Sequence, residues 1–141
     1  MNSANFAERL GVSQDNLRDW RRRGVSLGGA AVNGRVDFSD FDLIAARVMI
    51  NLARAAFDLP DAWRAATVVA PWVASALNVK VPTDRNVTAS GERPRFAVKT
   101  PAGVHLRASL ETLADLDFSV ASVILIDRVT DAVRAEMEAD D

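Results

Sequence analysis

The run GVSQDNLRDWRRRGV at residues 11–25 constrains the fold more than any other part of the chain. Gly11 and Gly24 bracket it, and glycine takes the left-handed backbone that ends helices at no steric cost. Ser13 is a strong N-cap residue type, so a helix is predicted from about Gln14 to Arg23, with Leu17 and Trp20 on one face. Upstream, Phe6, Ala7 and Leu10 share one face of a short helix that Ser3 is expected to cap and Gly11 to stop. Two short helices joined through a glycine turn of about three or four residues pack at a steep angle, which is the helix-turn-helix pattern.

Beyond Gly24 the chain reads as alternating small elements. VSLGGAAVNGRVDFS is glycine-rich, and its Asn33-Gly34 pair is a strong two-residue hairpin signal, so residues 25–38 are expected to form a β-ribbon, or wing. Ser39 should cap a helix over about Asp40 to Phe57, with Phe41, Ile44, Val48, Leu52 and Ala55 or Ala56 as its apolar stripe. Asp58 and Pro60 open a fourth helix carrying Trp63, Ala66, Val69, Val73 and Leu77, and Pro71 predicts a kink near residues 67–71. The polar stretch at residues 78–94 reads as a loop or linker.

RFAVKT, PAG and VHLRAS read as a hairpin, with Phe96, Val98, Val104 and Leu106 at alternating positions. LETLADL, residues 110–116, should give one or two helical turns. The run from Ser119 is ambiguous: Val123 to Ile126 suits a strand, while the wider spacing also fits a helix, which is favoured from about Asp127. The expected fold class is mainly α with small β elements, an N-terminal winged helix-turn-helix followed by helices and a C-terminal α+β portion with a hairpin. The expected division is a DNA-binding domain with two following helices over 1–77, a loop or linker over 78–94, and an α+β dimerisation or partner-binding region over 95–141.

Composition narrows the function. The 141 residues are 49% hydrophobic, enough for one modest core. No run approaches the roughly 18 apolar residues of a membrane span, and MNSANFAERLG lacks the basic and apolar regions of a secretion signal, so a soluble, cytoplasmic protein without a membrane partner is expected. The chain has no cysteine and one histidine, His105, so thiol nucleophiles and zinc-thiolate sites are excluded. With no nucleophile constellation, metal cluster or phosphate loop, neither an enzyme nor a cofactor is expected.

The net charge of −2 hides an asymmetry. Through Arg35 the cations Arg9, Arg18, Arg21, Arg22, Arg23 and Arg35 outnumber Glu8, Asp15 and Asp19, while Asp127 onward is acidic. A polyanion would therefore be met by the N-terminal end. On the predicted second helix, Gln14, Asn16 and Arg18 are residue types that make bidentate contacts to base edges, and Arg21, Arg22 and Arg23 are placed for phosphates. A solvated helix end favoured by the macrodipole accounts for the arginines about as well; the order of capped helix, glycine turn, capped helix and ribbon favours the DNA reading.

FAERLGVSQDNLRDWRRRGV followed by GRVDFSDFDL resembles the winged helix-turn-helix of the MerR superfamily and its short excisionase-like relatives. Gly11-Val12-Ser13, Arg18 and Trp20, Gly24, and Arg35 with Phe38 hold the places of that pattern, over roughly residues 3–57. The resemblance implies that Arg18 and Arg35 contact DNA, with Gln14, Asn16 and Arg22 beside them. Asp19 stands where such proteins usually carry an aromatic, and neither a long coiled coil nor a cysteine-bearing sensor is evident. The expected DNA-binding set is Ser13, Gln14, Asn16, Arg18, Arg21, Arg22, Arg23 and Arg35, on a homodimer bound to double-stranded DNA, since one helix-turn-helix buries too little for tight specific binding. The alternatives are an excisionase-like or phage packaging DNA-recognition subunit, and an adaptor whose arginine helix docks an acidic protein.

Four other features read as structural. Trp63 and Trp72 are expected in the core or half-buried, and His105 at the surface or across a strand. Asp37, Asp40 and Asp42 fit the start of a helix, and the tail EMEADD should be frayed and solvated.

Overall fold

The computed structural model describes residues 1–55, 57–85, 91–109, 111–112, 116 and 121–140. Helices α1 (Ser3–Leu10) and α2 (Gln14–Arg22) come first, then a hairpin of β1 (Ala30–Val32) and β2 (Arg35–Asp37). Helices α3 (Asp40–Arg54) and α4 (Leu59–Ala76) follow, with a single 3-10 turn at Thr83–Arg85. Strands β3 (Phe96–Thr100), β4 (Gly103–Arg107) and β5 (Ser122–Leu125) lead into helix α5 (Ile126–Ala139). The fold is mainly α with small antiparallel sheets, as expected from the sequence.

The cap of α1 is Asn2, not Ser3. Asn2 has the extended backbone a cap needs, and its side chain accepts from the Asn5 amide at 2.9 Å, whereas Ser3 already lies inside the first turn. Gly11 ends the helix with φ +71°, which lets the Gly11 and Val12 amides return to the carbonyls of Glu8 and Ala7.

Helix α3 is the centre of the molecule. Its predicted stripe is buried from Phe41 to Leu52, and so are Leu43, Ala45, Ala46, Arg47 and Met49, but the helix ends at Arg54, short of the expected Phe57, and leaves Ala55 exposed. A helix covered on several sides loses the single-stripe pattern, and α3 packs against α1, α4 and α5. Helix α4 starts at the Asp58 cap, whose carboxylate accepts from the Asp61 amide at 2.9 Å, and continues through Pro71. One core joins Phe6, Leu17 and Phe38 to the α3 and α4 residues and on to Ala97, Ile126, Val129 and Val133.

The second sheet has the order β4-β3-β5, antiparallel throughout. Val98 pairs with His105 on one side and Val123 on the other, so Phe96 and Val98 lie on the face opposite Val104 and Leu106. Lys99, on the Val104 face, donates to Asp61 of α4 at 2.7 Å. His105 is a cross-strand residue, as expected.

The ambiguity after Ser119 resolves as a strand to Leu125 and a helix from Ile126. Most of the helical turns expected over 110–116 lie outside the described residues. As far as Asp140 the acidic tail is not frayed, although Glu138, Ala139 and Asp140 stay exposed. Helix α5 runs to Ala139, and Asp140 accepts from Arg47 and, at 3.4 Å, from Arg9, while Glu136 accepts from Asn51 at 3.2 Å. The Arg47 side chain is only 4% exposed. A guanidinium so buried is costly without a carboxylate, and Asp140 supplies one.

Candidate nucleic-acid interface

Helix α2 is fixed at both ends and along one face. The Ser13 hydroxyl accepts from the Asn16 amide at 3.1 Å, and Asn16 Oδ1 accepts from the Ser13 amide at 3.1 Å and hydroxyl at 2.7 Å. This capping box satisfies orphan amides of the first turn. Leu17 is buried and Trp20 half-buried, and the Val25 amide returns to the Trp20 carbonyl at 2.9 Å beyond Gly24. Gln14, Asp15, Arg18, Arg21, Arg22 and Arg23 are left exposed. Ser13→Ala is expected to cost about 1 kcal/mol and lower the melting temperature by a few degrees in a thermal unfolding scan.

The charges of α2 are internally paired. Arg18 donates to Asp15 at 2.5 Å, and Asp19 lies 3.9 Å from Arg22 and 3.8 Å from Arg23. Asp19, out of place in the sequence pattern, thus lies near two cations, Arg22 of its own helix and Arg23 at the helix end. Exposed pairs of this kind are worth at most about 1 kcal/mol, so an incoming phosphate can exchange with the carboxylate. Arg21 has no such partner among the described residues and lies over the Phe38 ring, 5.8 Å from its centroid.

The segment expected to be ribbon throughout 25–38 pairs only from Ala30 to Asp37. Val25 and Leu27 are buried in the core instead, and Leu27, Gly28 and Gly29 all have positive φ. The loop passes so close to its neighbours that a Cβ at Gly29 would lie 2.5 Å from Val36 Cγ1. At the tip, Asn33 (φ +50°) and Gly34 (φ +76°) form the turn that the Asn-Gly pair predicts. The hairpin is anchored by Phe38, whose ring stacks on Phe6 at 4.0 Å and 8°. Arg35 is exposed on β2.

Beneath the loop lies Asp42, 2% exposed. It forms a second capping box with Ser39, accepts from the Gly29 amide, and accepts from Arg85 Nε at 2.9 Å and Nη2 at 2.6 Å. Burial pushes the Asp42 carboxyl up, but Arg85, Ser39 and Gly29 outweigh it, and the pKa is held below its ordinary value. Asp42 was legible as a helix-start acid; its partner Arg85 was not, being 43 residues away in what reads as a linker. Trp63 and Trp72 line separate depressions, which fits structural roles.

A capped helix, glycine turn, capped helix and anchored hairpin thus stand in the order of a DNA-binding head, and residues 1–65 match the model of the MerR HTH family regulatory protein. The N-terminal part of this chain is a MerR-type helix-turn-helix domain. No curated protein matches the chain. The MerR-type match extends past the hairpin through α3 into the first turns of α4, so it includes Asp42 and excludes Arg85. DNA binding in transcription regulation is the work of that family. Among the described residues, no helix is long and apolar enough to cross a membrane.

Proposed function

We propose that this protein is a sequence-specific regulator that binds double-stranded DNA as a dimer, with α2 in the major groove and the β1–β2 hairpin as its wing. The observation that carries the reading is the division of α2: one face is locked by Leu17 and Trp20, and the other offers Gln14, Arg18, Arg21 and Arg22 to solvent. In such a helix the N-terminal half meets base edges, which gives Gln14 and Arg18 the reading role, and guanine is the base whose O6 and N7 match a guanidinium. Arg21, Arg22 and Arg23 hold phosphates, and Arg35 extends the contact along the wing. Ser13 and Asn16 spend their side-chain oxygens on each other, so their part is to fix the helix start; Asn16 keeps its amide hydrogens for a nearby acceptor.

Dimerisation follows from the small area one such head buries on DNA. Strand β5 is the element that suits it. Among the described residues it pairs on one side only, with β3, and Val123 and Leu125 are 47% and 46% exposed.

The test is to sequence the fragments that the purified protein retains from random duplex DNA. A shared two-fold motif is expected. Arg18→Ala should cost about 1–3 kcal/mol on that motif and relax the preference at one position per half-site. Arg22→Ala should weaken every sequence alike and reduce the slope of log affinity against log salt by about one unit per protomer. A retained pool with no common motif, together with unchanged affinity in Arg18→Ala, sinks the reading.

A further inference from the structure

Asp15 is the most outward-facing carboxylate on α2. At 3.6 residues per turn it lies about 200° around the helix from Leu17, so it stands at the middle of the face turned away from the core. Its side chain is 87% exposed, against 67% for Arg18. An acid in the first turn of a helix is favoured by the macrodipole, which explains its residue type but not what it grips. The carboxylate reaches one turn forward, and Arg18 Nη1 donates to its Oδ1 at 2.5 Å. The charge paired with it is Arg18 of α2, while Asp19 is turned to Arg22 and Arg23.

A carboxylate in the centre of a surface that meets a polyphosphate lowers affinity for every sequence. It also rejects the carbonyl edges of thymine and guanine and accepts from exocyclic amino groups. Resting on the reading of α2 as the DNA-contacting helix, we infer that Asp15 is a specificity-determining residue. It holds the Arg18 guanidinium over the N-terminal half of α2, where it meets a guanine, and its second oxygen accepts from the exocyclic amino group of a neighbouring base, with cytosine N4 as the best match. The pair thereby trades general affinity for discrimination. An arginine at this site without a carboxylate is free to swing to the nearest phosphate, where it carries no sequence information.

The experiment compares full-length wild type, Asp15→Asn, Asp15→Ala and Arg18→Ala in two measurements: base preference by selection from random duplexes, and affinity for one unrelated duplex. In both Asp15 variants the unrelated duplex should bind about threefold tighter, because a repelling charge is gone. Preference for the guanine and for its amino-bearing neighbour should fall at least about fivefold. Asp15→Asn should in addition tolerate carbonyl bases at the second position, since its amide donates. If both positions keep their wild-type preference in Asp15→Asn and Asp15→Ala, the inference is wrong. It is equally overturned if motif and unrelated duplex weaken by the same factor together with a lower melting temperature, which is the behaviour of a helix-start acid alone. A motif lost in Arg18→Ala but untouched in both Asp15 variants removes this inference and leaves the regulator reading standing. A wild type that selects no motif removes both.

Discussion

Phe38→Ala is expected to destabilise the protein by about 3–5 kcal/mol, a large share of the roughly 5–15 kcal/mol that holds a domain of this kind together. The ring is 1% exposed and stacked on Phe6 at 4.0 Å, so truncation leaves a cavity that α1 and β2 cannot both close. It also removes the surface beneath Arg21, whose guanidinium lies 5.8 Å from the ring centroid. The melting temperature, followed by far-ultraviolet circular dichroism, should fall by roughly 10–15 °C. Phe38→Leu keeps most of the volume and should cost less than about 2 kcal/mol. That milder variant separates folding from function: it should stay folded at room temperature yet bind its selected DNA more weakly, because the hairpin has lost its aromatic anchor. A fall of only a few degrees in Phe38→Ala would mean that the stack does not support the hairpin.

The local grammar of the chain carried most of the fold. Gly11, Ser13, Gly24, Asn33-Gly34, Ser39 and Pro60 each act within a few residues of themselves, through backbone freedom or a cap, and each marks an element boundary in the structure. Asn2 displaced Ser3 as the first cap because both residue types can cap, and which one does depends on where the helix starts. Elements without a local signal were harder. The strand at Ser122–Leu125 is settled by its pairing with β3 across some 25 residues of sequence, because its local spacing fits a strand and a helix alike. Val25 and Leu27 read as part of the ribbon because alternation suits a strand, yet both are buried in the core between α2 and β1.

The interface was legible to a different depth. Which side chains of α2 face outward follows from the positions of Leu17 and Trp20, and the exposed arginines are those the sequence singled out. What each side chain is bonded to did not follow. Asn16 reads as a base-contacting amide, but position three of a capped helix is also where a polar side chain returns to the cap, and here its oxygen does so. Asp19 reads as a departure from the family pattern and Asp15 as one acid among the arginines, whereas each pairs with arginines three or four positions along. Two long-range links, Arg85 to Asp42 and Asp140 to Arg47, join residues whose separation hides them from any periodicity.

Replacing Arg85 by methionine tests the first of those links. Asp42 is 2% exposed and the Arg85 side chain 11%, so removing the cation strands a carboxylate out of water, a change that typically costs about 3–5 kcal/mol. Ser39 and Gly29 remain as donors to Asp42, which places the expectation near the lower end, with a melting temperature about 10 °C lower. The pH dependence identifies the cause. Burial pushes the Asp42 carboxyl up and its donors, Arg85 foremost, bring it below the ordinary carboxylate value. A group whose folded pKa is depressed contributes stability that is complete above its unfolded pKa, about 4, and is lost as the pH falls through the folded value. The gap in unfolding free energy between wild type and Arg85→Met should therefore be widest near neutral pH and narrow as the pH falls below about 4 toward the depressed folded pKa of Asp42, beneath which the carboxyl is protonated in both. Asp61, whose pKa is lowered chiefly by Lys99, titrates in both proteins and cancels from the difference. Parallel curves from pH 7 to pH 3 would assign the loss to the packing of the Arg85 stem and not to the ion pair. Because Asp42 also accepts from the Gly29 amide, and a Cβ at Gly28 would lie 2.6 Å from its Oδ1, the same variant loosens the floor on which the hairpin loop rests. Arg85 lies outside the family match, so a weaker grip on selected DNA in this variant would show the segment after α4 setting the position of the hairpin from beyond the MerR-type domain.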